Sequence, residues 1–266
     1  MSYFTERYGP WAVVAGASQG IGEQYSLQLA AKGLNLIMIA RGAGELEALA
    51  ARIRDEYSVE VMTLSCDLAN PDLHTILQQA CADKEVGLMV YNATYSHIGE
   101  FLSDTHSSKL LAIDVNCKGP LTFLDVLLTP MTQRKRGGII LMSSMSGFQG
   151  SAMVANYAAT KAYNTVLAEG LWEELRHHGV DVLACVAGAT KTPNFNRQTP
   201  MDKVASVFPM EPADAVSEAL QALQKGQGPT RVVGIMNKLV HAVFSRCISR
   251  KWAICFFSKA TRKLYA

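Results

Sequence analysis

The chain has 266 residues, 49% hydrophobic and 18% charged, enough apolar material to bury a sheet between two helix layers, so disorder is excluded for most of it. Its net charge of +2 hides a division: residues 1–218 hold 16 cations and all 23 acids, whereas residues 219–266 hold nine cations and no acid. Basic character confined to one tail argues against nucleic acid as the partner.

At the start, residues 1–10 include Glu6 and Arg7 and lack the apolar run of a secretory signal, so a cytoplasmic protein is expected. Strand-length apolar runs then occur at 11–15, 34–40, 59–64, 86–91, 138–143, 180–186 and 231–234. Helix-period stretches at 20–32, 45–57, 71–83 and 154–178 lie between them. The order predicts an α/β fold: a Rossmann-type, doubly wound, mostly parallel seven-stranded sheet with helices on both faces. No repeat or linker divides it, and the reading is one domain over 1–236 with a basic helical extension of the same domain over 237–266.

Between the first strand and the first helix lies Gly16-Ala17-Ser18-Gln19-Gly20-Ile21-Gly22. Glycines there permit positive φ and close approach of an anion, and the helix start offers unpaired amides and a positive dipole end. Gly16, Gly20 and Gly22, with Ser18, Gln19 and Ile21 among them, are expected to cradle a dinucleotide pyrophosphate, although an ordinary turn also fits. The second strand ends in Arg41, with no acid before Glu45. A guanidinium there pairs with a 2′-phosphate where a carboxylate would read a 2′-hydroxyl, so NADP(H) is preferred over NAD(H). A solvated charge is the alternative for Arg41.

Tyr157 and Lys161 stand four apart in a helical stretch, on one face about one turn from each other. A tyrosine titrates near ~10, and a fixed ammonium nearby favours its phenolate. Ser144 ends the fifth strand, where sites of parallel sheets gather, and its hydroxyl can donate to a carbonyl oxygen. Tyr-x-x-x-Lys by itself fits a solvated helix surface equally well.

Taken in order, the glycine turn, Asn92-Ala93, Asn116, Ser144, Tyr157 and Lys161 resemble the short-chain dehydrogenase/reductase family, over about residues 11–192. The resemblance implies hydride exchange between a nicotinamide and a substrate carbon, interconverting hydroxyl and carbonyl. By it, Tyr157 is the general acid/base and Ser144 holds the substrate oxygen. Lys161 tunes the tyrosine and binds the nicotinamide ribose, and Asn116 holds a proton-relay water. It further implies Asp67 and Leu68 at the adenine edge, with Asn92, Ala93, Gly188, Thr190 and Thr192 also on the cofactor. Asp67 fits a helix N-cap as well. The three-residue gap between Tyr157 and Lys161 favours C=O over C=C chemistry.

Three positions depart from the family pattern. Thr94 stands where the family has glycine, Ala187 where it has proline, and Gln19 where many NADP users carry a second cation. Residues 8–11, 29–41 and 182–193 are most similar to bacterial hydroxysteroid dehydrogenases of the 7β type, which implies a hydrophobic alcohol or ketone substrate and a homodimer or homotetramer. Tyr95, Ser96 and His97 would then border the substrate cavity. Two alternatives stay open: a 3-oxoacyl thioester reductase docking an acidic carrier on Arg134-Lys135-Arg136, and a non-catalytic NADP-binding sensor.

The six cysteines contain no C-x-x-C pair, so reduced, mostly buried thiols and no metal site are expected. In residues 190–212, Pro193, Pro200, Pro209 and Pro212 are expected to interrupt any helix, leaving a mobile loop over the site or a surface connection. Residues 237–266 read as one or two amphipathic helices without the ~20 apolar residues needed to span a bilayer. Packing on the core with cations outward, peripheral membrane contact, a lid over an apolar substrate and an oligomer contact all fit.

Overall fold

The structure is a computed structural model that describes residues 2–204 and 207–265. In chain order it runs α1 (Tyr3–Tyr8), β1 (Trp11–Ala15), α2 (Gly20–Ala31), β2 (Asn35–Ala40), α3 (Ala43–Glu56), β3 (Val61–Ser65), α4 (Leu73–Cys81) and β4 (Val86–Tyr91). Then follow α5 (His106–Ile113), α6 (Gly119–Gln133), β5 (Gly137–Ser144), α7 (Ala155–Leu175) and β6 (Val180–Ala187). The remainder is α8 (Pro193–Gln198), α9 (Met201–Val204), α10 (Pro212–Gln224), β7 (Thr230–Val232), α11 (Ile235–Arg246) and α12 (Arg250–Tyr265).

The strands form one parallel sheet in the order β3-β2-β1-β4-β5-β6-β7. Alternation along each strand sends one set of side chains to each face. Val14, Met38, Val90, Ile140 and Cys185 pack under Tyr25 and Leu29 of α2, Leu46 of α3 and Leu220 of α10. Val13, Ile37, Met89, Leu141 and Ala184 meet Leu77 of α4, Phe123 of α6 and Ala168 of α7. Each of these fully buried large side chains contributes roughly 1.5–3 kcal/mol over exposure, and two-sided burial explains why the strands read as continuous apolar runs. Strand order reverses between β1 and β4, so the loops leaving their carboxyl ends diverge and open a crevice there.

The doubly wound seven-stranded expectation is realised, with strand ends displaced by one or two residues. Two other expectations are corrected. Pro193 and Pro212 do not interrupt helices but begin α8 and α10, where the missing proline N–H would have had no partner in any case. Of the expected segment 190–212, residues 205 and 206 lie outside the described residues. Cys66 and Cys185 are buried, but Cys247 and Cys255 are exposed on or beside the tail helices, so burial does not extend to all the thiols.

Candidate active site

The glycine turn leaves β1 with Gly16 at φ +76° and enters α2 with Gly20 at φ +61°, left-handed conformations that favour glycine. A Cβ on Gly16 would stand 2.7 Å from the Ala93 Cα, and one on Gly20 would stand 2.9 Å from the Thr192 methyl. A Cβ on Gly22 would collide with the Gly16 carbonyl oxygen. Asn92 holds the turn by donating from Nδ2 to that carbonyl at 3.0 Å. At the start of α2, Gln19 provides no side-chain cap, so the first-turn amides keep their donors facing outward.

A groove of about 360 Å³ opens from this turn across the carboxyl ends of the first four strands. Gly16, Ser18, Gln19, Ile21, Arg41, Asp67, Leu68, Asn92, Ala93 and Thr192 line it, bringing together most of the residues singled out from sequence. Gly20 and Gly22 do not line it; they allow the close contacts of the turn with Thr192 and with the Gly16 carbonyl. The donors at a helix start, the bare glycine backbone and the cation Arg41 suit a dinucleotide whose phosphates need amides and positive charge.

Other placements differ from expectation. Asp67 does not cap α4, whose N-cap is Asp72; its carboxylate accepts from the Ala69 amide at 3.0 Å and borders the groove. Thr190 is buried with its hydroxyl donating to the Gly188 carbonyl at 3.1 Å, and Gly188 packs against Asn237 of α11. Neither lines the groove. Thr192 does, and it caps α8 by accepting from the Phe195 amide at 3.1 Å. Sequence reasoning missed Arg197, which α8 brings to the groove, and gave no role to Glu45, which faces the Arg41 end. A cation five residues beyond the capping threonine is the only signal Arg197 offers.

Ser144, Tyr157 and Lys161 converge beyond the groove. Ser143 fixes β5 to α7 by donating to the Lys161 carbonyl at 2.8 Å and bonding the Thr165 hydroxyl at 2.7 Å. That clamp sets the next residue, Ser144, against the Tyr157 phenol. Burial holds the phenol above its ordinary value of 10.0, the Ser144 hydrogen bond pulls it partway back, and Tyr265 of α12 raises it further. Lys161 is 3% exposed, donates from Nζ to the Met142 carbonyl at 3.0 Å and lies 5.7 Å from the Tyr157 ring centroid. Burial lowers its ammonium to about 8.

The ammonium was expected to favour the phenolate; in this structure the largest influence on the phenol is burial, which raises it. Lys161 is itself desolvated and spends a donor on a backbone carbonyl, so burial dominates at the phenol.

Asn116 is fully buried in a π-helical turn over Asp114–Lys118, which joins α5 to α6. Its Oδ1 accepts from the Tyr95 amide at 2.8 Å and the Thr94 hydroxyl at 3.3 Å; its Nδ2 donates to the Tyr95 carbonyl at 2.8 Å and the Thr160 hydroxyl at 3.0 Å. The hydroxyl gives Thr94 a bond that glycine lacks, so this departure is accommodated. His97 and Asp104 stand 3.7 Å apart and, with Met153 and Tyr157, border a small recess beside the phenol.

A model of the short chain dehydrogenase family matches residues 10–203. This chain belongs to that family. Short-chain dehydrogenases are oxidoreductases, and this member is 31% identical over 235 residues to the 7beta-hydroxysteroid dehydrogenase of Clostridium sardiniense, covering 88% of this chain and 89% of the relative. It is also 36% identical over 179 residues to the very-long-chain 3-oxoacyl-CoA reductase of Podospora anserina, covering 65% of this chain and 53% of the relative. A solved 7beta-hydroxysteroid dehydrogenase superposes with a TM-score of 0.90 at 26% identity, covering 97% of this chain and 99% of that one. A short-chain dehydrogenase from Sphingobium yanoikuyae in complex with NADPH gives 0.76 at 27% identity, covering 90% and 94%. Membership of this family and the NADPH-bound neighbour support a nicotinamide cofactor. Among the described residues, no helix is long and apolar enough to cross a membrane.

Proposed function

We propose that this short-chain dehydrogenase interconverts a secondary alcohol and a ketone on a hydrophobic substrate such as a hydroxysteroid, using NADP(H) in preference to NAD(H). The observation that carries this is the Ser144–Tyr157 pair beside the buried Lys161, next to a groove of glycine backbone and cations.

That geometry supports the following cofactor contacts. First-turn amides of α2 and Ser18 would hold the pyrophosphate, Arg41 the 2′-phosphate, Asp67 and Leu68 the adenine, and Asn92, Ala93 and Thr192 the path towards the nicotinamide. Bound there, NADPH would supply the hydride. A phenol held above its ordinary value keeps its proton at neutral pH, which suits Tyr157 to protonate a carbonyl oxygen. Ser144 would donate to the same oxygen and orient it. Lys161, poised near 8, would carry positive charge through most of the neutral range and hold the ribose hydroxyls. Asn116 locks the β4 loop to α7, which keeps the phenol in register with the groove.

An NADPH-dependent reductase fits the cytoplasm, where that cofactor is kept reduced. Leu110, Leu121 and Val166 lie exposed on α5, α6 and α7 and support a homodimer or homotetramer. A second reading, 3-oxoacyl thioester reduction, is favoured by the likeness to the very-long-chain 3-oxoacyl-CoA reductase. Its expected carrier dock is weaker. Arg136 pairs with Glu85 and donates to the Glu6 carbonyl at 2.9 Å, while Arg134 donates to the Val86 carbonyl at 2.9 Å, so two of the three cations serve the fold.

The test is a panel of ketosteroids, 3-oxoacyl thioesters and small ketones, with nicotinamide absorbance followed for the wild type and Tyr157→Phe. Turnover of ketosteroids by the wild type alone supports the first reading, and turnover confined to thioesters supports the second. No turnover in any class would overturn both.

A further inference from the structure

Helices α11 and α12 are joined by three residues and pinned by Phe244, whose ring centroid lies 4.9 Å from that of Phe256 and 4.7 Å from that of Phe257. The inward side of α12 is fixed by hydrogen bonds. Ser258 accepts from the Ala152 amide at 3.0 Å, Thr261 and Ser151 share a hydroxyl bond at 3.0 Å, and Ala253 is buried.

The outward side is then determined by helical geometry. Along α11, Ile235, Leu239 and Val243 repeat every four residues and are 83%, 57% and 41% exposed. On α12, Trp252 and Phe256 repeat likewise and are 72% and 56% exposed. Scattered surface leucines need no explanation, but an apolar stripe with a solvated indole on a helical pair does.

Cations surround these side chains. Arg231 and Lys238 pair with Glu218, whereas Arg246, Arg250, Lys251, Lys259, Arg262 and Lys263 form no ion pair among the described residues. With no acid from residue 219 onward, a two-fold contact of this face with its own copy would set like charges against each other.

We propose that this face seats the enzyme on the surface of an anionic bilayer as a peripheral contact. The apolar stripe would enter the boundary between headgroups and acyl chains, Trp252 would lie at headgroup level, and the unpaired cations would meet lipid phosphates. Each cation near such a surface strengthens binding about fivefold.

The test is sedimentation of the full-length protein with vesicles of phosphatidylcholine alone or mixed with phosphatidylglycerol, at low and high salt. Binding is expected only with phosphatidylglycerol, weakened by salt, and lowered at least about a hundredfold in a Lys251→Glu, Lys259→Glu, Arg262→Glu, Lys263→Glu variant. NADPH binding by that variant checks its fold; should it fail, Trp252→Ser with Phe256→Ser replaces it, with a loss of about tenfold or more expected. Equal binding to both vesicle types, or binding indifferent to both variants, would overturn the proposal. So would a variant whose solution mass falls to that of fewer copies, which would assign the face to a second subunit. Tyr157→Phe should bind vesicles like the wild type, so loss of the catalytic reading leaves this result separate.

Discussion

Removing the buried ammonium of Lys161 is expected to stabilise the protein while disabling it. Depressing a lysine from 10.5 to about 8 costs the fold about 3 kcal/mol at neutral pH. At 3% exposure, solvent does little to relieve that cost. Lys161→Met keeps most of the length of the side chain and deletes the charge, but it leaves the Met142 carbonyl without its donor, a loss of about 1 kcal/mol. A net gain of about 2 kcal/mol at pH 7 follows. The gain depends on pH in a fixed direction. Because the folded value lies below the unfolded one, the unfolded wild type binds more protons between about 8 and 10.5. Wild-type stability therefore rises through that window, whereas the variant lacks the contribution. Urea unfolding of both chains at several pH values measures the difference, and comparison of the pair cancels the other groups that titrate there. Between pH 7 and 10.5 the wild type should regain about 3 kcal/mol, so the variant's advantage of about 2 kcal/mol should turn into a deficit of about 1 kcal/mol. A gap that stays constant across the window would refute the assignment of Lys161 as a desolvated, destabilising cation.

Tyr157→Phe should lower turnover by about 10²–10⁴ while NADPH binding, followed by fluorescence, is retained. With its phenol held above the ordinary value, Tyr157 should impose no fall on carbonyl reduction up to about pH 9, so that a decline setting in near pH 8 reports Lys161, and alcohol oxidation should climb with pH beyond about 9. Arg41→Ala should weaken NADPH binding about 10–100-fold and leave NADH nearly unchanged, because only the 2′-phosphate loses its partner; an equal loss for both cofactors would contradict the assignment. Two glycines should respond oppositely to alanine. Gly170, exposed within α7 with nothing within 4 Å of a new Cβ, should gain about 1 kcal/mol in thermal unfolding, whereas Gly22→Ala should displace the turn and abolish cofactor binding.

The sheet was legible because the inner strands β1, β2 and β4 through β6 are covered on both faces and read as nearly continuous apolar runs. The glycine turn and the Tyr157–Lys161 face were legible because close approach and helical spacing restrict residue type and position directly. What escaped depended on contacts between distant segments. Nothing local marks the π-helical turn that aims Asn116 at Tyr95 and Thr160, since it is stabilised by those partners. Tyr157 carries no sequence sign that burial raises its phenol, because burial is set by tertiary packing, and Tyr265, which raises it further, comes from the far end of the chain. Arg197 reaches the groove only because Pro193 starts a helix that the proline count seemed to forbid.

The four bonds of the Asn116 amide have a mechanical consequence. They rivet the segment after β4, the π-helical turn and α7 into one stiff wall, so that side of the catalytic cleft cannot yield without exposing a buried carboxamide. Among the described residues, the amide binds no part of α8, whose Pro193, Asn194 and Arg197 border the groove, nor of α12, which meets residues 151 and 152 through single side-chain bonds of Thr261 and Ser258. Those lighter contacts can break and re-form one at a time at less cost than the four-bonded carboxamide.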